Sequence, residues 1–225
     1  RTLGEEIERA GAPFPQNVVR SMADPIYPQG GIAFLKGNLA PGGAIVKQSA
    51  ATANLMEHEG RAVVFENLED MAARIDDLDL DVAPDDVLVL KNIGPVGGPG
   101  MPEAGYIPIP KRLAVQGVKD MVRISDGRMS GTAFGTIVLH VTPESALGGP
   151  LACVQNGDRI RLSVQRREIS LLVNEEEMTR RLAACAIPRP KASRGYRKLF
   201  LQSVTQADQG VDFDFLQATP PEEDL

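Results

Sequence analysis

Cysteine, tryptophan and histidine are scarce in this sequence: its 225 residues include two cysteines, no tryptophan and two histidines. Cys153 and Cys185 stand far apart without Cys-x-x-Cys spacing, so neither a disulfide framework nor a metal knuckle is spelled out. Such usage fits a reducing, cytoplasmic setting. No apolar run approaches the ~20 residues of a membrane span, and no charged-then-apolar leader opens the chain, which predicts a soluble, unexported protein with no membrane partner. Positive charge is not in excess. Against 24 Lys plus Arg stand 30 Asp plus Glu, a formal balance of −6, and nothing global points to nucleic acid. No GxGxxG follows a strand pattern, which argues against a doubly wound dinucleotide fold. The opening RTLGEEIERAG lacks an initiator Met and reads as the middle of a longer chain, or as the product of processing.

What is present suffices for a core: 43 % of the residues are hydrophobic. The acidic excess sits in the tail, where Asp208, Asp212, Asp214, Glu222, Glu223 and Asp224 meet no Lys or Arg. Residues 1–28 hold a short helix pattern, Leu3 to Ala10 stopped by Gly11, and then four prolines, so they read as an extended lead-in. From 29 to 190 short apolar pieces alternate with Gly and Pro, as in a sheet protein with tight turns, and 191–225 carries a last helix and the acidic tail.

Asn67 is placed to cap LEDMAARID, VLVLKN (87–92) reads as a buried strand, and a helix is expected from Pro110 to Gln116. Asp158–Val164 and Glu168–Val173 read as a strand pair, and Asn174 with Glu177 as a capping box for a helix to Ala184. The pattern predicts a mixed α and β fold, a closed β-barrel with helices packed outside.

Two stretches could carry chemistry. MVRISDGRMSGTAFG (121–135) reads as strand, polar hairpin-like connection and strand, offering Ser130, Thr132 and Arg128 from a rigid base; a plain β-turn uses the same residues. GPVGGPGMPEAG (94–105) combines glycines, which permit close backbone approach, with prolines, which remove flexibility, and ends on Glu103. It is no phosphate loop, since no Gly-Lys-Ser/Thr follows. Glu103 suits a hard cation such as magnesium but is one ligand only, or else simply faces solvent. His140 reads as structural, Asp126 as a turn former and Cys153 as a small buried residue. Arg189, Lys191, Arg194, Arg197 and Lys198 read as a solvated rim. Tyr196, Phe200, Phe213 and Phe215, four of only ten aromatics, are expected to cover an interdomain or subunit surface.

Taken together, GGIAFLKGNLAPGGAIVK, NIGPVGGPGMPEAGYIPIPKRL, ISDGRMSGT and LHVTPESALGGPLACVQNGDRIRL resemble the C-terminal domain of the dihydroxy-acid and sugar-acid dehydratases, the iron-sulfur, magnesium-dependent hydro-lyases. The likeness runs in order over most of residues 1–216. Met-Pro-Glu before Pro-Ile-Pro-Lys, Arg-Met-Ser-Gly-Thr, GYRKLF and FDFL look like the branch acting on sugar acids such as arabinonate or xylonate. The branched-chain biosynthetic branch usually has Arg-Phe-Ser-Gly-Gly at the serine.

The resemblance implies a swivelling-type β-barrel with flanking helices. It implies Ser130 as the base that takes the C2 proton, Thr132 beside the substrate, and Glu103 as the magnesium ligand of this domain. The remaining magnesium ligands and the cluster cysteines are implied to lie in an N-terminal dehydratase domain. Cys153 and Cys185 match no cluster ligand, so the chain alone is expected to bind neither cofactor and to be inactive. A sugar-acid substrate and a homo-oligomer, dimer or tetramer, are implied for the complete enzyme. The alternatives are a dihydroxy-acid dehydratase of branched-chain biosynthesis and a non-catalytic barrel module that docks a partner.

Overall fold

The computed structural model describes residues 1–12, 14–99, 107–128, 134–187 and 190–217. The chain divides into two compact units, Arg1–Gly31 and Ile32–Leu225. In the first, α1 (Leu3–Ala10) is closed by a capping box: Thr2 Oγ1 accepts the Glu5 N–H at 3.3 Å, and the Glu5 carboxylate accepts the Thr2 N–H at 2.8 Å. Gly11, at φ 69, ends the helix as the sequence predicts, and none of its residues is buried.

The second unit is a closed mixed barrel of eight strands: β1 (Ile32–Gly37), β2 (Ala40–Lys47), β3 (Glu57–Phe65), β4 (Val87–Leu90), β5 (Arg123–Ser125), β6 (Ile137–Thr142), β7 (Arg159–Ser163) and β8 (Glu168–Leu171). Their order around the barrel is β1-β2-β6-β5-β4-β3-β7-β8. Strands β3, β4, β5 and β6 run parallel to one another, while β1 with β2, β2 with β6, β3 with β7 and β7 with β8 are antiparallel. A single parallel register pair, Lys36 with Glu168, closes the ring.

Period-two alternation sorts the apolar residues into two clusters. Ala62 and Val64 of β3 and Val87 and Val89 of β4 join Leu35, Val46, Ile124, Val138, Leu162 and Ile169 inside the barrel. The intervening Val63, Phe65, Leu88 and Leu90 point outward, beneath α2 (Leu68–Arg74) and α3 (Lys111–Val115), where Met71, Ile75 and Leu113 meet them. VLVL reads as an unbroken apolar run because both its faces are covered, as parallel strands require. Asn67 caps α2 by accepting the Asp70 N–H at 2.8 Å.

Three expectations need correction. First, β5 and β6 do not form a hairpin. They pair in parallel, Arg123 with Ile137 and Ile124 with Val138, so the connection from Asp126 to Thr136 must return to the starting end of the barrel. Turn-forming residues at 125–132 suggest a local reversal, but the pairing is set by the neighbours of each strand. Second, only half of the capping box at α4 (Glu175–Ala184) forms. Asn174 accepts the Glu177 N–H at 2.7 Å, whereas the Glu177 carboxylate turns to Arg180 and Arg181. Third, Pro110 caps α3 from outside the helix instead of occupying its first turn. Strand β3 is an addition that the sequence reading does not contain.

Candidate active site

Strands β4 and β5 are parallel neighbours, so the chain leaves both at the same end of the barrel, the end at which α/β folds present reactive loops. After β4 comes the Gly/Pro stretch that leads to Glu103, and after β5 the stretch that leads to Ser130 and Thr132. Glu103, Ser130 and Thr132 themselves lie outside the described residues. What the structure describes is the frame on which both stretches are held.

Two buried carboxylates grip the upstream ends. Asp126, fully excluded from water, accepts the Ile93 N–H at 3.0 Å and the Ser145 N–H at 2.8 Å, tying the start of one loop to the start of the other. It does accept backbone bonds, as expected of a turn former, but from distant segments. Glu144 accepts the Val96 N–H at 2.9 and 3.0 Å, the Gly97 N–H at 2.8 Å and the Gln206 side-chain amide at 2.7 Å. Burial pushes both carboxyls above the usual carboxylate range, and the hydrogen-bond donors offset only part of that rise. Glycine is required where these contacts are closest. A Cβ on Gly94 would stand 2.6 Å from Glu144 Oε2, and one on Gly97 would stand 2.7 Å from the Asn92 carbonyl carbon.

The downstream ends meet at Arg123. This buried guanidinium donates to the Ile107 carbonyl at 3.0 Å and to the Phe134 carbonyl at 3.0 Å. Those are the first described residues after the Glu103 and Ser130 stretches respectively. Asp120 holds Arg123 at 2.7 Å and accepts from Thr136 N, Thr136 Oγ1 and Thr52 Oγ1 at 2.9, 2.8 and 2.6 Å. Burial raises the Asp120 carboxyl, but these hydroxyls, the Thr136 N–H and the charge of Arg123 outweigh it and leave the group below its ordinary value.

His140, on β6, adopts φ 54 and donates its backbone N–H to Gly127 at 3.1 Å. Burial, helped by the charge of Arg128, holds the imidazole below its usual range, and its Nδ1 is buried without a hydrogen-bond partner among the described residues. It faces a cavity of about 280 Å3 shared with Phe34, Gly43, Thr142 and Asp208. Cys153 is buried as expected, its Sγ donating to the Pro150 carbonyl at 3.1 Å. Among the described residues no three His, Cys, Asp or Glu side chains converge as a metal site, so these residues by themselves fit neither magnesium nor an iron-sulfur cluster.

Lys191, Arg194, Arg197 and Lys198 are exposed, as a solvated rim should be, and Arg189 lies outside the described residues. Helix α5 (Gly195–Ser203) brings the expected aromatics together: Phe213 lies edge-on to Tyr196 and Phe200 at 6.2 and 5.9 Å and stacks on Phe215 at 5.3 Å. Phe200 is buried, while Tyr196 is 69 % and Phe215 58 % exposed. Pro99, the last described residue before the Glu103 stretch, lines a cavity of about 360 Å3 with Tyr196, Arg197 and Phe200.

Arg123, Asp120, Glu144 and Gln206 are the residues of this frame that the sequence reading does not single out. The available signal for the first pair is a charged residue inside an apolar strand, Val122-Arg123-Ile124, with an acid three positions earlier. For Glu144 and Gln206 no local signal exists.

A closed mixed barrel that fastens two connecting stretches, each at both of its ends, is a scaffold for holding side chains in register. The chain belongs to the dihydroxy-acid/6-phosphogluconate dehydratase family, whose C-terminal domain matches residues 17–211. It is 50 % identical over 212 residues to the L-arabonate dehydratase of Azospirillum brasilense, covering 92 % of this chain and 36 % of that protein. It is 49 % identical over 213 residues to the 6-deoxy-6-sulfo-D-gluconate dehydratase of Pseudomonas putida, covering 93 % and 37 %. With the dihydroxy-acid dehydratase of Thermodesulfovibrio yellowstonii the identity is 37 % over 208 residues, covering 92 % and 37 %. The chain thus spans little more than a third of the length of these relatives.

Proposed function

We propose that this chain is the C-terminal part of a hydro-lyase that dehydrates a sugar acid, a 2,3-dihydroxy acid, to a 2-keto-3-deoxy acid. The observation that carries the reading is the family membership, joined to a frame that braces the two stretches bearing the family's Met-Pro-Glu and Arg-Met-Ser-Gly-Thr motifs. Ser130 takes the C2 proton on its side-chain oxygen. The electron pair of the C2–H bond becomes the C2–C3 double bond, the C3–O bond breaks, and the hydroxyl leaves as water once protonated. The resulting enol tautomerises to the ketone. Thr132 lies beside the substrate.

A serine hydroxyl is far too weak an acid to act as a base near neutral pH, so its alkoxide needs neighbouring positive charge and oriented donors. Glu103 contributes one carboxylate to magnesium, and the other ligands come from an N-terminal domain to which residues 1–28 lead. An iron-sulfur cluster held by that domain supplies Lewis acidity in the complete protein. The chain alone binds neither cofactor and does not turn over substrate. The complete enzyme is cytoplasmic and forms a homo-oligomer.

The greater likeness to sugar-acid dehydratases favours a sugar acid over a branched-chain dihydroxy acid. Mass spectrometry of the products that the complete protein forms from a panel of five- and six-carbon sugar acids and 2,3-dihydroxy-3-methylbutanoate tests this. A 2-keto-3-deoxy sugar acid is the expected product. Turnover of the branched acid alone, or of a sugar acid by the 225-residue chain alone, overturns the corresponding part of the reading.

A further inference from the structure

We infer that Arg123, held by Asp120, is a positioning residue that sets the spacing between the stretch carrying Glu103 and the stretch carrying Ser130; the inference rests on the dehydratase reading above. One guanidinium touches the downstream ends of both. Nη1 donates to the Ile107 carbonyl at 3.0 Å, and Nη2 donates to the Phe134 carbonyl at 3.0 Å and to Asp120 at 2.7 Å. Nε donates to the Met121 carbonyl at 3.3 Å, within its own strand region, which fixes the root of the fork.

The surroundings are shaped for this arginine. Gly135, at φ 112, lies against Nη2 so closely that a Cβ there would collide with it. Asp120 holds Thr136 as well as Arg123, Thr52 N donates to Thr136 Oγ1 at 3.0 Å, and Gly135 N donates to the Ala50 carbonyl at 2.9 Å. The return of the Ser130 stretch is therefore fastened at each of residues 134, 135 and 136, and two of those fastenings run through the Asp120–Arg123 pair.

A buried ion pair is a weak source of stability, because the desolvation of two charges offsets much of their attraction. What the pair provides that apolar residues of the same volume cannot is a set of fixed donors to two carbonyls on separate loops. Lysine does not substitute. Its ammonium is a point charge on a flexible stem and cannot span carbonyls that the planar fork reaches together. Proton transfer from C2 to a serine requires reacting atoms within about 3–3.5 Å, and misplacement by about 1 Å costs about a hundredfold in rate.

The test is Arg123→Lys in the complete protein, with Leu162→Ala as a control that lowers stability from inside the barrel, away from both loops. Steady-state kinetics and amide hydrogen exchange are read on each. In Arg123→Lys, kcat is expected to fall about 10- to 100-fold with KM changed by less than about threefold. Exchange of the amides of Ile107 and Ile109 and of residues 134–136 is expected to quicken about tenfold or more, relative to the control at matched melting temperature. Unchanged kcat, unchanged exchange at those amides, or an equal loss of kcat in the control overturns the inference. Ser130→Ala run alongside separates the two claims. Retained turnover in that variant removes the serine base, while the exchange data still decide whether Arg123 braces both stretches.

Discussion

Arg123 Nη2 lies 2.7 Å from Asp120 Oδ1, and both side chains are almost wholly excluded from water, at 2 % and 4 % exposure. The pair stands three residues apart at the start of β5, where the backbone is still approaching the strand. It joins the segments that follow both candidate loops, so its energetics report directly on the frame of the site.

Asp120 makes stability depend on pH in a defined sense. Its carboxyl is held below its unfolded value, so its contribution is fully present above the ordinary carboxylate range, near ~3.9, and is lost as pH falls through the lower folded value. Asp120→Asn removes one partner of a buried pair and is expected to cost ~3 kcal/mol or more at neutral pH. The gap between variant and parent should narrow below about pH 4, as the parent loses what the variant never had. Denaturant titrations at pH 7 and near pH 3 check this, and a gap that stays constant contradicts it.

Glu144 gives a second prediction. Among the described residues both of its oxygens meet only N–H donors: Val96 N and the Gln206 amide at Oε1, Val96 N and Gly97 N at Oε2. Glu144→Gln must turn an NH2 group toward one of those donor sets, whichever way it is flipped. The expected loss is ~1–3 kcal/mol, read as a lower melting temperature, together with faster amide exchange at 96 and 97. A melting temperature equal to the parent's contradicts the account.

The legible parts of this fold are those set by local chemistry. Asn67 with its acids, Gly11 and the VLVL run each follow from capping, φ preference or two-sided burial, and each stands where the sequence places it. Strand β3 is hidden because EHEGRAVVF opens on charged residues and becomes apolar only in its second half, and the run is completed by pairing with β7 and β4. The parallel pairing of β5 with β6 is likewise a property of the sheet, not of the turn residues between them. In the site, a strand pattern counts Arg123 as an outward residue, whereas its burial depends on Asp120, Ile107 and Phe134 together. Glu144 and Gln206 lie 62 positions apart and meet only in the folded chain. The roles proposed for Ser130, Thr132 and Glu103 rest on family motifs alone, since local turn chemistry accounts for the same residues equally well.

The aromatic group on α5 yields a third prediction. Tyr196 and Phe215 leave large areas exposed, and Pro99 joins this surface to the stretch that carries Glu103. The relatives are more than twice as long as this chain, and the magnesium site proposed around Glu103 would need ligands from that remaining length. The occupant proposed for this surface is therefore the N-terminal domain of the same protein. Amides of α5 should exchange about tenfold more slowly in the complete protein than in the isolated chain, and Tyr196→Ser should abolish that difference. Equal exchange in the two contexts, or self-association of the isolated chain that is lost in Tyr196→Ser, contradicts it.

The most direct test is Ser130→Ala in the complete protein, assayed for 2-keto-3-deoxy product under saturating sugar acid with iron, magnesium and melting temperature measured on the same sample. The account predicts turnover lower by about a thousandfold or more, with metal content and melting temperature unchanged. Turnover within a few fold of the parent's would contradict it and remove Ser130 as the base.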